Sequence, residues 1–202
     1  MLNNLFLNLM KNTLIILIIA VLVVGIKTKT YSQKDKNDSL FKEVKMPIDD
    51  VTKLITYKNV INIDGITKDS LYRKGLKWFN SYYKNAKNVI KLQNPEEGRI
   101  IGKPQFKILN PPDKNGSPSF RGIIYYTITT FYKDGKFKYE ITDINLEETS
   151  KFPVERWLDK SLKTYTPKYN YFLKQIDDYM KATTQSFENA MKLSTTIKKD
   201  EW

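Results

Sequence analysis

Asp134-Gly135 lies between two long alternating runs, residues 121–132 and 136–146, and no other feature restricts the fold as much. Asp-Gly flanked by period-two hydrophobicity signals a hairpin, and a type I′ turn with positive φ at both central residues is the expected connection. A two-residue loop sets Lys133 opposite Lys136, Tyr132 opposite Phe137, Thr130 opposite Tyr139 and Ile128 opposite Ile141. Phe137, Tyr139 and Ile141 alternate with Lys138, Glu140 and Thr142, so the first set faces a core. Ile124, Tyr126, Ile128, Thr130 and Tyr132 must share that side. Ile123, Tyr125, Thr127, Thr129 and Phe131 occupy the other side with Lys138, Glu140 and Thr142.

The remaining elements follow from spacing and punctuation. Residues 54–63 read as a strand closed by Asp64-Gly65. Thr67 is an N-cap for a helix to about Asn85, with Leu71, Gly75, Trp78, Phe79, Tyr82 and Ala86 on one face. Trp78 and Ile141 are expected to pack between this helix and the sheet. Residues 87–93 and 99–109 read as strands around a turn at 94–98, and the proline-rich stretch 110–119 as a loop. A short helical piece near 154–162 follows. Pro167 then starts a helix over about 169–193, with a stripe of Phe172, Ile176, Tyr179, Met180, Thr183, Phe187 and Met191. The order β-α-β-β-β-β-α predicts an α+β domain, an antiparallel sheet with helices on one face, over residues 44–195. Gly98 and Gly102 lack the order of a phosphate loop and enter a strand, so a turn and a bulge or close sheet–helix approach explain them.

These residues also resemble a family. Pro47-Ile48-Asp49-Asp50, Thr52-Lys53 and Thr56-Tyr57 precede Thr67-Lys68-Asp69-Ser70-Leu71-Tyr72 with Trp78-Phe79. Gly98-Arg99-Ile100-Ile101-Gly102-Lys103 and Lys136-Phe137-Lys138-Tyr139-Glu140-Ile141-Thr142-Asp143 come later. In order and spacing, over about residues 44–148, they resemble the domain of unknown function 4468. The resemblance implies a TATA-binding-protein-like fold and secreted or envelope proteins of Bacteroidota. It brings no activity and no catalytic residues.

The N-terminus bears on location. Lys11 precedes an uninterrupted apolar run from Leu14 to Ile26, and Thr30 and Ser32 offer small residues at its exit. That pattern describes a secretory signal peptide over residues 1–33, with Met10 the expected start and cleavage after Ser32 or Gln33. A polar, flexible leader over 34–43 would follow. The alternative is a single-pass anchor in which residues 5–9 join the run and Lys11 snorkels. The expected location is the periplasm or cell envelope, with a membrane contact only through this segment if it is not cleaved.

Removing residues 1–33 takes away three lysines and no acids, leaving 31 basic and 22 acidic residues and a net charge of +9. Nucleic acid is the partner such a charge first suggests. Yet 30 of the 34 basic residues are lysines, spread along the chain among acids, whereas bidentate base and phosphate contacts favour arginine. The two-repeat saddle of the TATA-binding protein has no counterpart in a chain without an internal repeat.

Chemistry is restricted further by the absence of every cysteine and histidine. Thiol chemistry and a Ser-His-Asp triad are excluded, and no metal or cofactor is expected. The adjacent pairs Asp49-Asp50, Glu96-Glu97, Glu147-Glu148 and Asp177-Asp178 diverge on strand or helix and read as turns or solvated faces, so no enzyme is expected. The candidate site is the outer sheet face: Tyr125, Thr127, Thr129 and Phe131, then Lys138, Glu140 and Thr142. Ile101, Lys103 and Gln105 extend it, with Ile100 and Phe106 inward. Its expected partner is an unknown envelope protein, peptide or glycan. Either this face is open, or the leader or the segment after Leu146 folds across it.

Overall fold

In the computed structural model, which describes residues 39–193, a long hairpin forms the spine. The apolar run 14–26 and its cleavage site lie outside the described residues. β1 is Tyr57–Asn62, α1 Lys68–Tyr82, α2 Ala86–Val89, β2 Ile90–Asn94, β3 Arg99–Gly102 and β4 Gln105–Leu109. β5 is Phe120–Lys133, β6 Lys136–Leu146 and β7 Phe152–Pro153, followed by a 3-10 turn at Val154–Leu158 and α3 at Lys168–Lys192. The sheet is antiparallel, in the order β1-β6-β5-β3-β2. β4 continues the line of β3 along β5, and β7 pairs with the far end of β6. No described helix is long and apolar enough to cross a membrane.

The hairpin register is the expected one, from Lys133↔Lys136 to Ile128↔Ile141. Its turn differs from the type I′ expectation. Gly135 has φ +71, but Asp134 is not among the residues with positive φ. The cause is tertiary. Asp134 Oδ1 accepts the amide of Lys68 at the start of α1, at 2.6 Å, and Gly135 N–H donates to Ile66 at 2.9 Å. The turn serves as a second cap for the helix, and that docking sets its backbone.

Two expected strands are interrupted. The stretch 99–109 breaks at Lys103-Pro104, where proline has no N–H for the ladder. Its register against β5 nevertheless carries across the break, from Gly102↔Ile128 to Gln105↔Tyr125. The stretch 87–93 begins as the helical turn α2 and becomes a strand only at Ile90. A short apolar run does not by itself distinguish the two conformations.

Both long helices pack on the inner face. Thr67 caps α1 by accepting from the Ser70 amide, and α1 buries Leu71, Gly75, Trp78 and Phe79. α3 buries Phe172, Ile176, Met180, Thr183, Phe187 and Met191 of the expected stripe, with Tyr179 partly buried. Trp78 lies between the helices rather than on the sheet. Its ring stacks on Tyr82 at 4.7 Å, meets Phe187 at 4.9 Å, and its Nε1 donates to Ser186. Glycines permit the close approach: a Cβ on Gly75 would lie 1.8 Å from the Tyr132 hydroxyl, and one on Gly102 2.8 Å from Phe79. Asp177, expected on a solvated face, is buried on α3. It accepts from the Tyr57 hydroxyl at 3.0 Å and pairs with Lys181 at 2.6 Å.

Candidate functional site

Alternation leaves one side of the sheet without helices, and side chains cross it in rows. One row runs Val60, Lys138, Phe131, Arg99, Asn94, and the next Lys58, Glu140, Thr129, Ile101, Leu92. A third brings together Thr142 and Thr127, with Lys103 beside them by register, and beyond it Tyr125 faces Gln105. The structure therefore places all the candidate residues on this face. None of Val60, Leu92, Ile101, Ile123, Tyr125 and Phe131 belongs to the hydrophobic core.

Local contacts divide the face into two ends. At the hairpin end, Lys138 Nζ lies 5.6 Å from the centre of the Phe131 ring and 3.0 Å from Glu140. Phe131, the 57% exposed Val60, Lys133, Lys136 and Lys138 line an open depression of about 370 Å³. Lys133 and Lys136 have no ion-pair partner among the described residues. The cation over the ring favours keeping Phe131 where it is.

The far end holds a cleft of about 300 Å³ lined by Lys103, Tyr125, Thr127, Asp143, Glu147 and Lys151, among others. Tyr125 is 37% exposed. Its hydroxyl donates to Glu147 Oε1 at 3.0 Å, and that carboxylate pushes the phenol above its ordinary pKa. Thr127 donates to Asp143 Oδ2 at 3.4 Å, and Lys151 lies 3.7 Å from the same carboxylate. The segment after Leu146 thus walls one side of Tyr125 without covering it. Among the described residues no group of three or more carboxylates is placed to hold a metal ion.

Residues 57–147, which carry nearly all of this face, match the family described as "Domain of unknown function (DUF4468) with TBP-like fold". This stretch resembles a DUF4468 domain. A crystal structure of a DUF4468 family protein from Bacteroides ovatus is similar with a TM-score of 0.60 and 19% identity, over 79% of this chain and 97% of that one. A TBP-like protein from Parabacteroides distasonis gives a TM-score of 0.50 and 15% identity, over 71% and 97%. At such identities the likeness is one of fold. No curated protein matches the chain.

Several lining residues of this domain escape the simple alternation of its hairpin. Thr127↔Thr142 is followed by Tyr125↔Asn145, so β6 carries an extra residue there. Asp143, at φ +55, takes up the bulge. Asn145 holds it by donating from Nδ2 to both the carbonyl and Oδ1 of Asp143, each at 2.8 Å. The sequence carries the signal. Ile141 is inward at an odd position, Ile144 and Leu146 are inward at even ones, and only an inserted residue reconciles them.

Proposed function

We propose that this domain is a non-enzymatic binding module of the cell envelope, and that its working surface is the open sheet face. One observation carries the reading: Tyr125, Phe131 and Ile101 sit on a face that no described helix packs against, outside the core that takes in Ile124, Tyr126, Ile128 and Tyr132 of β5 and Phe137, Tyr139 and Ile141 of β6. Exposed aromatic patches of this kind mark interaction surfaces. The partner is an envelope protein, peptide or glycan. Export through residues 1–33 belongs to the same proposal and is supported by Lys11 and the apolar run that follows it.

A Tyr125→Ala/Phe131→Ala double variant should keep the fold and lose partners captured from an envelope extract. Unchanged partners would remove this face as the working surface. N-terminal sequencing of protein from its native host should start at about residue 33 or 34. A chain that keeps 14–26 in the membrane fraction would favour the anchor instead.

A further inference from the structure

We infer that the cleft around Tyr125 binds sugar hydroxyls, with the tyrosine ring as the platform for one pyranose of a neutral glycan. The inference rests on the open face being a binding surface, and it names both the ligand class and the part of the face that takes it.

The first ground is the ring. Tyr125 is 37% exposed, yet its hydroxyl is fixed by Glu147 at 3.0 Å, so the platform is held in place before anything binds. Pre-organised aromatic area costs little conformational entropy on binding. The negative face of the ring suits the polarised C–H groups on the flat side of a sugar.

The second ground is the rim. Asp143, Glu147 and Glu148 present acceptors, Lys103 and Lys151 donors, and Thr127 both, around the same cleft. A sugar hydroxyl donates and accepts at once, so a vicinal diol is satisfied by a carboxylate standing beside an ammonium. The rim also has little charge to spare. Lys151 lies 3.7 Å from Asp143, and Arg121 lies 3.6 Å from Glu148. An anionic ligand gains more at the hairpin end, where Lys133 and Lys136 stand unpaired among the described residues.

The third ground is the way Asp143 is aimed. Regular alternation would turn this carboxylate toward the core, whereas the bulge turns it into the cleft. Its left-handed backbone, φ +55, is unusual for a non-glycine residue, and the nearly buried Asn145 amide holds it there from two directions. The volume of about 300 Å³ falls at the small end of ligand sites. An apolar floor with a polar rim fits a sugar, while a peptide anchor calls for a deeper apolar pocket.

The test titrates the purified protein with maltotriose, cellotriose, chitotriose and xylotriose, read by saturation-transfer NMR and calorimetry. At least one should bind saturably, with a Kd of about 1 mM or tighter. Tyr125→Ala should weaken it roughly tenfold or more. Tyr125→Phe, which keeps the ring, should stay within about threefold. Asp143→Asn tolerates the left-handed backbone and should still weaken binding several-fold. Circular dichroism and thermal unfolding check that each variant is folded. Binding by none of the four sugars, or binding that survives Tyr125→Ala, overturns the inference. If no sugar binds while the Tyr125→Ala/Phe131→Ala protein still loses its captured partners, the cleft inference falls and the open-face reading stands.

Discussion

Ile141 and Glu140 are neighbours on β6 that differ chiefly in which way they point, so truncating each in turn measures the two faces of the sheet. Ile141 is fully buried, paired with Tyr57 on one side and Ile128 on the other. Ile141→Ala removes three carbon atoms, about 2.4 kcal/mol of lost transfer free energy at roughly 0.8 kcal/mol each. The cavity left beneath the helices adds to this, for an expected loss of about 2–5 kcal/mol. Glu140 keeps 35% of its side chain exposed, as its partner Lys138 keeps 39%, with 3.0 Å between the charges. A pair so exposed contributes no more than about 1 kcal/mol. With a urea m-value of about 2 kcal/mol per molar, the midpoint should fall by about 1–2.5 M for Ile141→Ala and by under about 0.5 M for Glu140→Ala. Both variants should keep the same m-value. Equal losses, or a larger loss at Glu140, would refute the assignment of faces and with it the open surface.

Gly75→Ala should destabilise by about 3 kcal/mol or more, because its Cβ would fall 1.8 Å from the Tyr132 hydroxyl and α1 would have to lift off the sheet. Thermal unfolding reads the loss, which should shrink in a Tyr132→Leu background; a wild-type melting temperature would show that α1 is not seated there. For acid stability, burial alone would raise the pKa of Glu188, but hydrogen bonds from Lys192, Tyr139 and Asn59 outweigh it and hold the carboxyl below its ordinary 4.5. Its contribution is present above that value and is lost as pH falls through the lower folded pKa, so Glu188→Gln should flatten the acid limb of stability. Burial first, and then Glu188, push the Tyr139 phenol up to about 12 from an ordinary 10. That contribution is complete below pH 10 and declines above it, and Tyr139→Phe should make urea midpoints less sensitive between pH 10 and 12.

The spine of the fold was readable because period two and a two-residue loop leave only one register that puts Ile128, Thr130 and Tyr132 on the side of Phe137, Tyr139 and Ile141. Both long helices were readable for the same kind of reason, a cap at Thr67 or Pro167 and an apolar stripe behind it. What resisted was set by contacts distant in sequence. Asp134 takes its turn from the amide of Lys68, and Asp177 is buried where the Tyr57 hydroxyl reaches it from β1 and Lys181 pairs with it. The cleft resisted because its residues come from four separate segments: the β3–β4 link, β5, the β6 bulge and the loop behind it. Alternation already places Tyr125, Thr127 and Lys103 on this face, and the bulge leaves its own trace in the change of parity between Ile141 and Ile144, whereas nothing local marks the approach of Glu147, Glu148 and Lys151.

The same bulge explains why the two ends of the open face differ. Between Lys133 and Thr127 the hairpin is regular, and the outer side is an array of paired rows with a shallow depression around Phe131 and the lysines of the turn. Past Asp143 the extra residue redirects β6, so that Ile144 and Leu146 return to the core and the chain leaves the sheet at Glu147. β7 then holds the far end by pairing Phe152 with Leu146 and Pro153 with Asn145. The loop between these anchors must pass beside Tyr125, and its carboxylates become a wall rather than a cover. A single inserted residue thus gives this end of the face a cleft walled by carboxylates. Deleting Asp143 should therefore restore regular alternation, with Ile144 and Leu146 still turned to the core and Asn145 still opposite Tyr125, so that the cleft loses a carboxylate wall at little cost in apolar burial; a large loss of thermal stability would refute the bulge as the origin of the recess.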